Sequence, residues 1–485
     1  MSAVLSAPGP DWMRAPRAWR LPLTLAVVLL SAGCATTQVN RAFDDVTRGV
    51  DERVGTQPRL LGTDEQRLAA ADEVSRILGQ PVSADDAVRI TVLNSAQLQS
   101  LLHHSAAAMA TSIQAGRLVN PTFTFERLVR GEDKDIGRLL TFQVIDLLTW
   151  PSRQRIADAR LQEDKLRAVG TIVDAAADAR KAWVDAVAAQ QMLRYHRDVL
   201  TAAEASAELA RRMQGAGNFT RLQRAREQAF YADAVVQLAR AQHAEVAARE
   251  ALVRRLGLTA EQAGRLKLPD RLPDLPKVPR SEAEVARAAM DQRLDVQAAQ
   301  RALETTARQA GVTNVRSVLS RLEFSVARNS ETNEPLQRGY EIEVPLPIFD
   351  AGDAARAEMR STYQAAVYRS QQVIIDAHSQ VRQSYHAYRT SLDVARHYRD
   401  EIVPLRKAIA EENLYRYNGM LIGVFELLSD ARDQVASVIT AIETQREFWM
   451  ADAALNNTLI GRSESVPRAL GPAPRAAVAG GADPH

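Results

Sequence analysis

Two stretches lying far apart in the chain carry the same twelve-residue pattern. Gly217-x-Phe219-x-x-Leu222-x-x-Ala225-Arg226-x-Gln228 matches Gly423-x-Phe425-x-x-Leu428-x-x-Ala431-Arg432-x-Gln434 at six positions and one constant offset. Coincidence between two Ala/Arg-rich helices explains the alanine and arginine, but not the glycine and phenylalanine. The chain is therefore an internal duplication, and each half must fold by the same plan. Each half is also dominated by a long helical pattern. From Ser152 to about Gln214 there is no proline and only Gly170 as a weak breaker, enough for about 90 Å of helix.

The remaining punctuation divides the halves consistently. Ser83 reads as an N-cap with Asp85 and Asp86 in the first turn. The helix it starts is expected to run to Leu118 and stop at Asn120-Pro121. Thr122–Phe125 and Leu140–Val144 alternate as strands around a polar loop at 131–135, and Trp150-Pro151 closes this hairpin. The long helix turns at Gly215-Ala216-Gly217-Asn218 and returns from Phe219 to Leu256. After a proline-rich linker the series recurs: a helix over 281–310, strands at 322–327 and 339–346, a helix from Ala354 to Tyr417, a turn through Gly419 and Gly423, and a return from Phe425 to Ile460. If Trp150 corresponds to Phe349, the second long helix is about seven residues the longer, one heptad. The expected division is 1–33 export signal, 34–82 polar leader (extended over 35–62) and short helix, 83–256 first repeat, 257–280 linker, 281–460 second repeat and 461–485 disordered tail.

The single cysteine, Cys34, follows a basic stretch (Arg14, Arg17, Arg20) and an apolar run from Leu21 to Leu30 that is too short to span a bilayer. Ser31-Ala32-Gly33-Cys34 resembles a bacterial lipobox, which makes Cys34 the expected lipidation site. An ordinary signal peptide with an incidental cysteine is the alternative. Ala35, where an aspartate would favour inner-membrane retention, points to the outer membrane. No disulfide can form within a chain of one cysteine.

Composition narrows the function classes. Basic and acidic residues number 61 and 59, a balance that argues against nucleic acid as partner. Aromatics are 5% of the chain, which suits long helices packed through small residues. Catalytic readings fare poorly, and no cofactor or metal is expected. His103-His104 places two rings on different helix faces, His378 and His386 have no matching carboxylate cluster, and no phosphate-binding loop or nucleophile elbow occurs.

The hairpins pose a physical problem. Four strands leave two open edges, whereas a bilayer tolerates only closed sheets. Three chains would supply about twelve strands, enough to close a barrel with a lumen. Tyr340-Glu341-Ile342-Glu343-Val344 and Leu322-Glu323-Phe324-Ser325-Val326 alternate as though Glu323, Glu341 and Glu343 faced water inside. A soluble sheet with one wet face is the competing reading.

The duplicated layout, Val344-Pro345-Leu346-Pro347-Ile348-Phe349-Asp350-Ala351-Gly352, and Tyr417-Asn418-Gly419 followed by Glu426-Leu427-Leu428-x-x-Ala431 together resemble the TolC-type outer-membrane factor family, in its lipoprotein branch. The resemblance covers Ser83 to Ile460, with one residue more than the family usually has between Gly419 and Glu426. It implies a mainly α fold with a membrane β-barrel: a homotrimer whose barrel continues into a tunnel of twelve helices in the periplasm. It implies a non-enzymatic exit duct in outer-membrane lipid, docked at its helical tips to a periplasmic adaptor protein of an inner-membrane efflux pump. The tip residues are then Gly217, Asn218, Tyr417, Gly419, Gly423 and Glu426. The glycines are expected where a Cβ would obstruct reversal, Glu426 in an acidic ring near the entrance, and Tyr415, Arg416 and Tyr417 as a latch or as ordinary packing. A periplasmic coiled-coil adaptor or scaffold lipoprotein is the rival class. An adaptor should carry one hairpin, where this chain carries two.

Overall fold

The computed structural model describes residues 20–318, 322–346 and 348–461, with side chains from Thr37 onward except at 290, 291 and 315–318. The first half contains α1 (Arg20–Val54), α2 (Asp64–Ile77), α3 (Ala84–Asn94), α4 (Ala96–Ala115), the hairpin β1 (Thr122–Arg130) and β2 (Asp133–Gln143), then α5 (Val144–Gly215) and α6 (Arg221–Leu256). After a short α7 (Ala260–Arg265) come α8 (Glu282–Gln292), α9 (Leu294–Val318), β3 (Glu323–Glu331), β4 (Gln337–Glu343), α10 (Asp353–His397), a π-helical turn over Tyr398–Ile402, α11 (Val403–Asn418) and α12 (Val424–Ile460). The strands form one antiparallel sheet in the order β1-β2-β3-β4, so β1 and β4 are open edges.

Helix α5 has 72 residues, about 110 Å at 1.5 Å per residue. It leaves the sheet at one end and reaches the tips at the other, and α1, α3, α4, α6, α9 and α12 pack along it, while α10 packs on α9 and α12. It starts eight residues earlier than Ser152, directly from β2, so Trp150 and Pro151 lie inside the helix. Proline there removes one hydrogen bond close to the helix start, while the Trp150 indole donates to the Gly116 carbonyl (3.0 Å) and ties α5 to the end of α4. The second half instead has an irregular segment after β4, containing Pro345, before α10 begins at Asp353. The second long helix is therefore not the longer one. It also carries a wide turn: the π-helical residues 398–402 end two residues before Pro404, whose missing N–H and ring an α-helical register would not accommodate.

The expected extended leader is helical as far as Val54. Phe43, Val46 and Val50 recur at helical spacing and are buried against Leu98, Leu102, Val169 and Ile172. Lys165 donates to Asp45 at 2.6 Å and holds that carboxyl below its usual range. Cys34 falls on the backbone of α1, with its side chain outside the described residues. The apolar run 21–30 likewise lies where only backbone is described, and residues 1–19 and 462–485 fall outside entirely. Gly461 belongs to the fold, not to a tail. Among the described residues no helix is long and apolar enough to cross a membrane.

The helix expected from Ser83 to Leu118 breaks at Asn94–Ser95, and the reason lies across the molecule. The Asn94 amide donates to the carbonyls of Leu256 (3.2 Å) and Gly257 (2.7 Å), satisfying the end of α6. A Cβ on Gly257 (φ +67°) would lie 2.8 Å from Asn94 O and Ser95 Cα, so only glycine permits the approach. The second half repeats the joint with different chemistry. Arg293, between α8 and α9, is 1% exposed and donates to Asp295 (3.0 and 2.5 Å), Gln380 (2.8 Å) and the Thr458 carbonyl near the end of α12 (3.2 Å). A Cβ on Gly461 (φ +111°) would stand 2.5 Å from Leu294 N. The duplication thus extends to a waist around which the main apolar clusters gather, including Trp183, whose indole donates to the Val82 carbonyl (2.7 Å). The segment after Gly257 straps this waist through buried Leu266, Leu268, Leu272 and Leu275.

Candidate functional site

The two hairpin tips are built alike and packed together. After α5, Gly217 adopts φ +79° and the Asn218 amide donates five residues back to the Met213 carbonyl (2.9 Å). After α11, Met420 adopts φ +59° and the Leu421 amide donates to the Arg416 carbonyl (2.8 Å). Each is the left-handed stop of a helix C-terminus. Thr220, with a Gln223 capping box, then starts α6, and Gly423 starts α12 without a side-chain cap.

This corrects the expected roles of the glycines. Only Gly217 has a backbone that favours glycine. Gly419 (φ −81°) and Gly423 (φ −85°) are ordinary, and the space at Gly217 and Gly423 is open. The conformational counterpart of Gly217 is Met420, although the sequence pattern pairs Gly217 with Gly423. The turn and the pattern are out of phase by three residues, close to one helical turn, so the patterned side chains stay on nearly the same face. An L-residue in this region costs about 1 kcal/mol. Met420→Gly should therefore slow amide exchange at Leu421 roughly fivefold, and Gly217→Ala should speed it at Asn218 by a similar factor. Unchanged exchange in both would remove the strain assigned here.

Phe219 and Val424, one from each tip, are buried against Ala210, with Met213, Tyr417 and Leu428 around them. Tyr417 is thus packed between the hairpins, whereas Tyr415, Arg416, Asn218 and Glu426 are exposed. Glu426 occupies the first turn of α12. The structure brings Phe219, Tyr417 and Val424 together and leaves Glu426 on the surface nearby.

Two turns further up lies a junction that sequence reasoning missed. Glu227 on α6 is 1% exposed. It accepts a hydrogen bond from Ser206 Oγ of α5 (2.6 Å) and is paired with Arg432 of α12. The Arg432 guanidinium also lies 4.8 Å over the Phe230 ring, and its repeat-mate Arg226 lies 5.2 Å over Phe425. A buried carboxylate of the first hairpin is therefore locked to a partly exposed arginine of the second. The signal was present: Arg226 and Arg432 belong to the repeated pattern, each followed by an acidic residue. Elsewhere on this end Arg211 and Arg212 hydrogen-bond Glu208 and hold its carboxyl down to about 2.

At the opposite end the register sorts the sheet by chemistry. Glu323, Glu341 and Glu343 share one face with Glu126, Asp133, Asp135 and Glu331. The other face carries Phe123, Phe125, Leu140, Phe142, Phe324 and Ile342, and the Phe324 and Tyr340 rings stack at 6.3 Å. Apolar exposure continues below the strands at Leu147, Leu148, Leu346 and Phe349. Among the described residues no group of three His, Cys, Asp or Glu could hold a metal ion, and His103, His104, His378 and His386 are exposed.

No protein-family model matches the chain, and no curated protein matches it. Solved structures do. The outer membrane protein VceC of Vibrio cholerae is 14% identical and superposes with a TM-score of 0.66 over 79% of this chain and 97% of its own. A membrane protein of Pseudomonas aeruginosa is 20% identical, with a TM-score of 0.65 over 78% and 93%. The MtrE outer membrane channel of Neisseria gonorrhoeae, in its open state, is 16% identical, with a TM-score of 0.63 over 77% and 88%. This chain has the fold of those membrane proteins.

Proposed function

We propose that three copies of this chain form a passive exit duct in the bacterial outer membrane, serving a tripartite efflux system. The observation that carries this reading is the sheet. It has two open edges, an apolar face and an acidic face, and it is joined to paired helical hairpins that project far beyond it. Pairing the β1 edge of one protomer with the β4 edge of the next closes twelve strands, with Glu323, Glu341 and Glu343 lining the lumen. The long helices then form the periplasmic tunnel, and the tips meet a periplasmic adaptor of an inner-membrane pump. An acyl chain on Cys34 would hold the assembly to the inner leaflet. Glu426, exposed at the α11–α12 tip of each copy, supplies a ring of three carboxylates that favours cations. The work is conduction, not catalysis.

The test is reconstitution of the full chain. Native mass measurement should give a trimer, and planar-bilayer recordings should give cation-selective steps whose selectivity weakens in Glu426→Gln at low salt, where screening is least. A folded monomer that leaves the bilayer silent would overturn the duct. Unchanged selectivity in the variant would remove Glu426 from the entrance. Palmitate label persisting in Cys34→Ser would remove the anchor alone.

A further inference from the structure

The apolar face of the sheet is not apolar throughout. Arg138, Arg328 and Arg338 stand directly opposite one another on β2, β3 and β4, with Phe125 of β1 completing the row. Neighbouring strands are about 4.8 Å apart, and like charges directly opposite destabilise a sheet. Among the described strand residues nothing on this face offsets that repulsion. Every carboxylate of the four strands lies on the other face, and the same alternation places Arg127 and Lys134 on the arginine face. Arg328 and Arg338 are exposed and Arg138 half-buried. None of the three has a side-chain hydrogen bond or ion pair among the described residues.

The height of the row matters as much as its sign. The rows nearer the helices, Phe123-Leu140-Val326-Tyr340 and Phe142-Phe324-Ile342, contain no charge, and the exposed apolar residues continue below them. Nearer the hairpin turns come Arg127 and Lys134. The arginines thus mark the upper border of the apolar band, about 13 Å along the strands from the Phe142 row. A local violation of sheet chemistry at such a border calls for a counter-charge from outside the protein.

We propose that this row binds the phosphate groups of anionic lipid headgroups in the leaflet farthest from the helical tips. This rests on the barrel reading above. Guanidinium forks engage phosphate oxygens in pairs, and weak hydration lets arginine do so at the edge of a hydrocarbon layer. Closure of the barrel would repeat the row in each protomer, giving a continuous girdle. The lipid would then neutralise a repulsion that otherwise opposes assembly, so anionic lipid and trimer stability are linked.

The experiment uses the full chain in nanodiscs of phosphatidylglycerol or phosphatidylcholine, with retained lipid counted by native mass spectrometry and trimer survival followed on heating. The wild type should retain phosphatidylglycerol over phosphatidylcholine by about tenfold or more and survive to higher temperature in it. The R138Q/R328Q/R338Q variant should lose the preference, Arg328→Gln alone should reduce it, and the triple lysine variant should keep part of it. Inorganic phosphate should not displace the lipid; displacement would make a free anion the ligand and overturn the lipid assignment. Intact trimers without lipid preference, or variants that keep it, would overturn the girdle and leave the duct standing. Failure to form a trimer in either lipid would overturn both.

Discussion

Glu227→Ala is expected to loosen the tips and raise single-channel conductance several-fold while leaving trimers intact. The carboxylate is buried, accepts from Ser206 and is paired with Arg432. Removing one member of a buried ion pair strands the other and costs about 3–5 kcal/mol, less here because Arg432 is partly exposed and can recruit water. Even about 2 kcal/mol would raise the open population of this junction by more than tenfold. Sheet and waist are far from the junction, so assembly should be unaffected. Glu227→Gln, which can still accept from Ser206, should fall between the two. Hydrogen exchange on the tip halves of α6 and α12 provides a readout independent of conduction. Wild-type exchange together with wild-type conductance in Glu227→Ala would mean that apolar packing around Phe219 and Val424 holds the tips closed without the pair.

The second large effect is expected at the waist. Arg293→Ala should lower stability by about 3 kcal/mol, the low end for a buried pair since Asp295 is partly exposed. The substitution leaves Asp295 without its cation and the Thr458 carbonyl without its donor, beside a cavity. Arg293→Lys should recover only part, since one ammonium cannot reach Asp295, Gln380 and Thr458 as a fork can. Protease cleavage between α8 and α9 and an earlier thermal transition are the measurements. A melt within a degree of wild type would show that Gly461 and its apolar neighbours hold the joint unaided.

Much of the fold was legible because its signals are local. The alternation around Thr122–Phe125 and Tyr340–Val344, the Ser83 cap and the Gly217 turn each declare themselves within a few residues. What escaped depended on partners distant in sequence. Nothing near Asn94 announces a break, because the break exists to cap α6. Nothing near Phe43 announces a helix strongly enough to outweigh the polar residues around it, because its stripe is stabilised by α5. The shared face of Glu323, Glu341 and Glu343 was legible from alternation, but the basic phase of the same strands was not, since only the register shows Arg138, Arg328 and Arg338 to be neighbours. Glu227 was hidden for a similar reason: an acidic residue in an exposed-looking helix becomes buried only when the other hairpin lies against it. The glycine pairing misled because sequence identity records ancestry, whereas the left-handed residue is decided by where each helix stops.

The wide turn at Tyr398–Ile402 has no counterpart in α5, so the two hairpins are not mechanical equals. In the tube proposed above the blades would be of two kinds, one α-helical without interruption from Val144 to Gly215 and one with a wide π-helical turn beside Pro404. Under a twisting load the blades with the wide turn would yield first while the others would act as struts. Such a mouth would dilate as a three-leaved iris, with motion concentrated in α11 and α12, and it would never pass through a round six-leaved aperture.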